Sequence, residues 1–297
     1  MEKITFCINT SKNEKEYISL LLGSLYNGID INLHNILIFV DSDNQGTIEL
    51  LKNQHSIFPN LKIIHNKSNT PWRYQMNINY MFDIAETEIV SYLQSDMVVC
   101  MEYDKCILDH LDKNTILSST RIEPPLHVLY NNNITYVKNF GFNPTDFNYD
   151  EFLYYCETIK NKNKITNYFF APFTLYKKLW TDIGGHDTKF KYSREDSDIL
   201  YRFCINKYTM NQCWDALVYH FTCTSSRGIN WWNNKELQQL QLQRDQIELQ
   251  KFINKWGHFK HPLSYSEIEN DIRNNPTLIH NLICKNPPYP LETLEFL

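Results

Sequence analysis

The chain has 297 residues, enough for one large domain or two small ones, and its 14% aromatic content excludes general disorder while only 8 glycines exclude collagen-like or Gly-rich repeat designs. A net charge of −5 offers no basic face of the kind that duplex nucleic acid requires. No basic segment precedes an apolar stretch near Met1, and the longest apolar runs are strand-sized against the ~20 residues of a membrane span, so a soluble, cytosolic protein without signal peptide is expected.

The first half alternates strand and helix signals. Lys3 to Asn9 reads as a strand, and Glu14 to Leu25 has the apolar spacing of an amphipathic helix. Ile36 to Val40 is a buried strand, followed by loop chemistry in Asp41-Ser-Asp-Asn-Gln-Gly46. Thr47 to Gln54 predicts a short helix, Leu61 to His65 a strand, and Pro71 to Ile84 a helix with its proline in the first turn. Glu88 to Leu93 predicts a strand that ends in Gln94-Ser95-Asp96. Strands separated by helices imply a mainly parallel α/β sheet covered on both faces, with ligands at the carboxyl ends of the strands.

The second half is more mixed. Thr115 to Thr120 predicts a strand, and residues 123–150, rich in Pro, Asn and aromatics, a long loop or insertion. Asn167 to Leu175 predicts a strand, Asp182 to Ser193 a Gly-containing loop, Glu195 to Ile205 a helix and Gln212 to Phe221 a strand. From Asn233 to Trp256, Leu237, Leu240, Ile247, Phe252, Ile253 and Trp256 suit a long helix, and the last stretch of about 40 residues carries no strong signal. The 8 cysteines include no Cys-x-x-Cys pair, which points to reduced, buried thiols and away from structural zinc. The abundance of Asn, Ile, Lys and Tyr fits AT-rich coding, as in large DNA viruses or some protists.

Three groups of residues can carry chemistry. Asp41, Asp43 and Asp96 follow strands, where carboxylates can hold a nucleoside and a hard divalent cation, although turn chemistry explains the first two equally well. Gly184-Gly185-His186-Asp187 is followed by Arg194-Glu195-Asp196-Ser197-Asp198, more acids than a helix cap needs, and one of them can serve as a general base. His220 ends a strand, where it can ligate a metal, and Arg227 can pair with phosphate; Trp231-Trp232 can stack on a sugar or simply pack.

The order of these pieces (strand, Asp-x-Asp loop, strand ending at Asp96, Gly-Gly-x-Asp, Glu-Asp, and a His after a strand) resembles a GT-A glycosyltransferase of family 2 type over residues 3–260. The resemblance implies a GT-A (Rossmann-like) fold with an acceptor-side insertion and a C-terminal helix. It divides residues 1–260 into a nucleotide-sugar half (1–100), an acceptor and catalytic half (101–230) and a helix (231–260), with 261–297 as an extension. By resemblance Asp96 and His220 are metal ligands for Mn²⁺ or Mg²⁺, with Gln94 where the family carries a first Asp. Asp196 is the catalytic base beside Glu195. Thr10, Asn13, Asp41, Asp43, Arg73, Ser95, Asp96, Gly185, Asp187 and Arg227 contact a nucleotide-sugar, expected to be a UDP-sugar. Glu123, His127 and Trp231 lie toward the acceptor: a glycan, protein or small-molecule hydroxyl. Other readings are a nucleotidyltransferase, against which the glycine-free Asn9-Thr-Ser-Lys-Asn13 argues, and a non-catalytic carbohydrate-binding or virion protein on a degenerate scaffold.

Overall fold

A computed structural model describes residues 2–126, 134–222, 234–257, 265–275 and 283–297. The nucleotide half builds β1 (Ile4–Thr10), α1 (Lys15–Gly28), β2 (Asn35–Val40), α2 (Thr47–Asn53), β3 (Leu61–Asn66), α3 (Tyr74–Ile84), β4 (Ile89–Gln94), β5 (Met97–Val99) and α4 (Tyr103–Leu108). Next come β6 (Thr115–Glu123), β7 (Thr135–Val137), α5 (Tyr149–Ile159), β8 (Asn161–Thr166), β9 (Phe173–Tyr176), α6 (Lys177–Ile183), α7 (Glu195–Ile205) and β10 (Thr209–His220). The long α8 (Lys235–Trp256), α9 (Tyr265–Asn274) and a short β11 (Leu294–Phe296) complete the described elements.

One sheet runs in the order β11-β3-β2-β1-β4-β9-β6-β10-β5, with β7 beside β6 and β8 beside β10. Strands β1 to β4 pair in parallel, as the alternating pattern predicts. Beyond them the sheet is mixed: β9 runs antiparallel between β4 and β6, and β5, β8 and β11 are antiparallel to their neighbours. The all-apolar reading of β2 fits its position, with Ile36 to Val40 buried between β1 and β3. Two aromatic-rich cores pack on the two faces, one around Phe6, Leu21, Tyr103 and Tyr219, the other around Phe39, Trp72, Trp180 and Phe203. Each such fully buried large side chain contributes about 1.5–3 kcal/mol of transfer free energy.

Three expectations change. Helix α3 starts at Tyr74, because Arg73 has φ of 78°, and Pro71 precedes it in the loop. The strand expected over Asn167 to Leu175 is shorter: 167–172 form an irregular segment with a cis Ala171–Pro172 peptide, and β9 begins at Phe173. The apolar residues of α8 do not form one buried stripe. Phe252 and Trp256 are buried with Glu248, whereas Leu237, Leu240 and Ile247 are exposed. No helix among the described residues is long and apolar enough to cross a membrane.

Candidate active site

Because β1, β2, β3, β4, β6 and β10 share one direction, their carboxyl ends line a single edge. The antiparallel pairing of β5 with β10 sets His220 opposite Met97, so Asp96 arrives beside the imidazole. The Phe221 N–H donates to the Asp96 carbonyl at 3.1 Å, and His220 Nε2 lies 3.8 Å from Asp96 Oδ1. The other ring nitrogen, Nδ1, is 2.8 Å from Oε1 of Glu123, the last residue of β6. The sequence reading sent Glu123 toward an acceptor; the structure instead buries it against His220, and Arg121 Nε stands 3.4 Å from the same oxygen. Strand order explains why spacing could not show this pair: β6 and β10 are neighbours in the sheet but nearly 100 residues apart.

A divalent ion fits this corner. One carboxylate and one imidazole form a donor set that Mn²⁺ accepts, and a 3.8 Å separation is within the span of two metal–ligand bonds of about 2.1 Å. A carboxylate behind the imidazole is the usual partner that fixes the tautomer and aim of a ligating His. A different trio, Asp187, Asp198 and Cys284, also brings its potential ligand atoms within 4.8 Å of one another. The Lys255 ammonium already occupies it, 2.8 Å from Asp187 and 2.7 Å from Asp198.

Glu14 is a residue that sequence reasoning missed, having marked only a helix start. Its Oε2 accepts from the Ser11 N–H at 2.8 Å and from Ser95 Oγ at 2.7 Å, tying the loop after β1 to the turn that carries Asp96. Burial pushes the Glu14 carboxyl up to about 7 against the pull of the Ser95 hydroxyl, and the Asp96 charge adds to the rise. Ser95, expected at the donor, turns its hydroxyl inward to this bracket.

The donor-side carboxylates are strongly engaged. Asp41 accepts from Asn66 Nδ2 at 2.9 Å, the Trp72 N–H at 2.8 Å and the Arg73 N–H at 3.1 Å, so it holds the loop after β3 in place. Asp43 accepts from the Gln45, Thr47 and Ile48 N–H groups at 3.0 Å. Partial burial opposes its ionisation, but these backbone donors at the start of α2 outweigh it and hold the carboxyl low. For Asp43 the capping explanation therefore accounts for the geometry. Thr10, the last residue of β1, is wholly buried, and its carbonyl accepts from the Asp41 N–H. Asn13 is exposed and exchanges hydrogen bonds with Asn44. The Arg73 guanidinium is exposed and stacks 5.1 Å over the Tyr192 ring, which joins the donor loop to the segment before α7.

Helix α7 opens on the acidic pair. Glu195 is buried, and no hydrogen bond reaches its Oε2 among the described residues; burial first, and then the Asp196 charge, raise its carboxyl far above the ordinary range. Asp196 is exposed, yet desolvation by the protein around it raises its carboxyl, an effect opposed by the Arg121 cation. The buried Tyr92 hydroxyl, on β4, is pushed up by desolvation and then by the charges of Asp96, Asp196 and Glu14. The pair thus joins a buried acid and an accessible one, both raised, and only the accessible one is open to an incoming hydroxyl.

The Gly-Gly turn lies elsewhere than expected. Gly185, at φ of 68°, presses so closely on Asn79 that a Cβ would collide with the amide, and Asn79 bonds both the N–H and the carbonyl of His186. Asp187 pairs with Lys255, and Arg202 spans Asp198, the Ile183 carbonyl and the Gly185 carbonyl. Gly185 and Asp187 thus belong to a buried ionic clamp behind α7, and no donor contact is needed to explain them. His127, Arg227 and Trp231 lie outside the described residues.

Comparison with known proteins agrees with this architecture. No curated protein matches the chain by sequence. Among solved structures, the mannosyltransferase PcManGT from Pyrobaculum calidifontis, in complex with GDP-Man and Mn²⁺, is similar at a TM-score of 0.57 and 15% identity, over 94% of this chain and 72% of that one. The 1–349 fragment of S. aureus TarS, in complex with UDP, gives 0.51 and 16% over 95% and 83%. GalNAc-T7 with UDP, GalNAc and Mn²⁺ gives 0.56 and 9% over 95% and 55%. These likenesses establish the GT-A fold. The family described as Glycosyl transferase family 2 matches residues 7–184, more than half of the sequence, and the chain therefore belongs to that glycosyltransferase family.

Proposed function

We propose that this glycosyltransferase moves a sugar from a UDP-sugar to a hydroxyl acceptor with inversion at the anomeric carbon, and that the reaction depends on a divalent cation. The observation that carries the reading is the corner of Asp96, His220 and Glu123 at the strand-end edge, together with an accessible Asp196 at the start of α7. Asp96 and His220 would hold the ion, and Glu123 would fix the imidazole. When bound, such an ion neutralises charge developing on a departing diphosphate. Asp196 takes the proton from the acceptor hydroxyl as that oxygen attacks the anomeric carbon from the face opposite the leaving group. Glu195, buried at the helix start, lies out of reach of the acceptor and takes no proton from it. Arg73, exposed beside Tyr192, reaches toward the diphosphate.

The nucleotide complexes of TarS and GalNAc-T7 favour UDP, and that of PcManGT makes a GDP-sugar the competing donor. Thermal stabilisation by UDP-sugars and GDP-sugars, with Mn²⁺ and with EDTA, separates them, because a ligand that binds only the native state raises the melting temperature. A Mn²⁺-dependent shift confined to the UDP-sugars is the expected result. A shift confined to GDP-sugars would replace the donor, and equal shifts in EDTA would remove the cation from the reading. The anomeric coupling constant of the product, read by NMR, decides inversion.

A further inference from the structure

The family match ends at residue 184, yet residues 283–297 return to the donor side of the sheet. Strand β11 pairs antiparallel with β3, setting Leu294 opposite Asn66. The Lys67 N–H donates to the Thr293 carbonyl at 2.8 Å, and Trp72 Nε1 donates to Thr293 Oγ1 at 3.2 Å. The Tyr289 ring stacks on Trp72 with centroids 6.0 Å apart and planes within 7°, and its hydroxyl donates to Asp83 Oδ2 on α3 at 2.5 Å. Trp72 is therefore gripped twice: its backbone N–H by Asp41 and its indole by this segment.

The next residue, Arg73, has φ of 78°, which a non-glycine residue adopts only where its surroundings over-determine it. Phe39, Tyr80 and Tyr289 surround the Trp72 ring, while the Asp41 carboxylate holds the Trp72 and Arg73 N–H groups. Releasing the indole frees the loop to leave that conformation and carries Arg73 with it.

We propose that Tyr289 and Thr293 are positioning residues for nucleoside diphosphate binding: they hold the loop 66–73 so that Arg73 is presented at the donor edge. This rests on the donor reading given under Proposed function. It concerns a strap, residues 289–296, that does not itself touch the reacting atoms.

The test uses the full chain carrying Tyr289→Leu and Thr293→Val together, which keeps apolar cover over the indole, alongside Tyr289→Phe, which keeps the stack. Hydrogen exchange is followed without ligand, and UDP and GDP binding is measured with Mn²⁺. The double variant should speed exchange of the Trp72 and Arg73 amides while β1 and β4 amides are unchanged. It should raise the dissociation constant of the nucleotide and the donor KM about tenfold, as expected if the competent fraction of loop conformers falls to about a tenth. kcat should stay within about twofold, because uniform binding is what is lost. Tyr289→Phe should behave nearly as the natural chain. Unchanged exchange at 66–73 overturns the proposal, as does faster exchange spread through every element. If the natural chain binds neither UDP nor GDP, the donor reading fails and the strap's role at the diphosphate fails with it, while loop exchange still reports whether the strap holds Trp72.

Discussion

Replacing Asp196 by Asn tests the assignment of the base with activity and stability moving in different directions. Asn has nearly the shape of Asp but cannot accept the acceptor's proton. A positioned general base contributes typically ~10²–10⁴ in rate, about 2.7–5.4 kcal/mol of barrier at 1.36 kcal/mol per decade. Turnover at saturating donor and acceptor should fall by that factor, while nucleotide affinity stays within about twofold because the Asp96 corner is untouched. Stability should respond differently. Desolvation by the protein around Asp196 disfavours its charged form, so at neutral pH the native state carries an unfavourable carboxylate that Asn removes. The melting temperature should hold or rise. Glu195→Gln is the control: it changes a buried side chain of nearly the same shape that the acceptor does not reach, and should cost turnover far less than Asp196→Asn. The assay is initial rate against acceptor concentration together with thermal unfolding of both variants. Turnover retained in Asp196→Asn, or lost equally in Glu195→Gln, would refute the division of roles.

Three further outcomes follow from the same geometry. The acid limb of the pH–rate profile should lie above the ordinary aspartate range, because Asp196 must be ionised to act and its carboxyl is raised; Arg121→Gln removes a cation that lowers it and should move the limb to still higher pH, whereas an unmoved limb would detach Arg121 from the base. Glu123→Gln should weaken Mn²⁺-dependent nucleotide binding about tenfold, near the lower end of the usual effect of losing the carboxylate behind a metal-bound His, and titration calorimetry with and without Mn²⁺ reads it directly. Asp198→Asn strips the charge that two buried cations share, since Asp198 bonds Arg202 at 3.0 Å and lies 2.7 Å from Lys255. Breaking such a buried pair costs about 3–5 kcal/mol, or ~5–8 °C in melting temperature for a chain of 297 residues, and a fall of under 2 °C would show the clamp to be loose.

Part of the site was legible in the sequence because it depends on local order. Asp96 lies two residues past the end of a strand, and Glu195-Asp196 opens a helix whose apolar period is plain, so both could be singled out from local order alone. Glu123 and Glu14 were not legible in the same way. Their partners, His220 and Ser95, are distant in sequence, and only the pairing of β6 with β10 and of β1 with β4 brings them together. Asp43 and Asp187 show the converse: each has the composition of a ligand-binding residue, yet backbone amides take up the first and Lys255 the second.

The sequence by itself determined the period of the strands and helices of the first half, the edge on which the strand-end acids gather, and the aromatic-rich core, because hydrophobic spacing and parallel strand direction are local properties. Tertiary structure alone decided which carboxylates stay available. A carboxylate's role depends on its desolvation and on the donors that reach it. In this fold Arg121 of β6 lowers the Asp196 carboxyl and Lys255 of α8 takes up Asp187, partners remote in sequence that only the folded chain brings near.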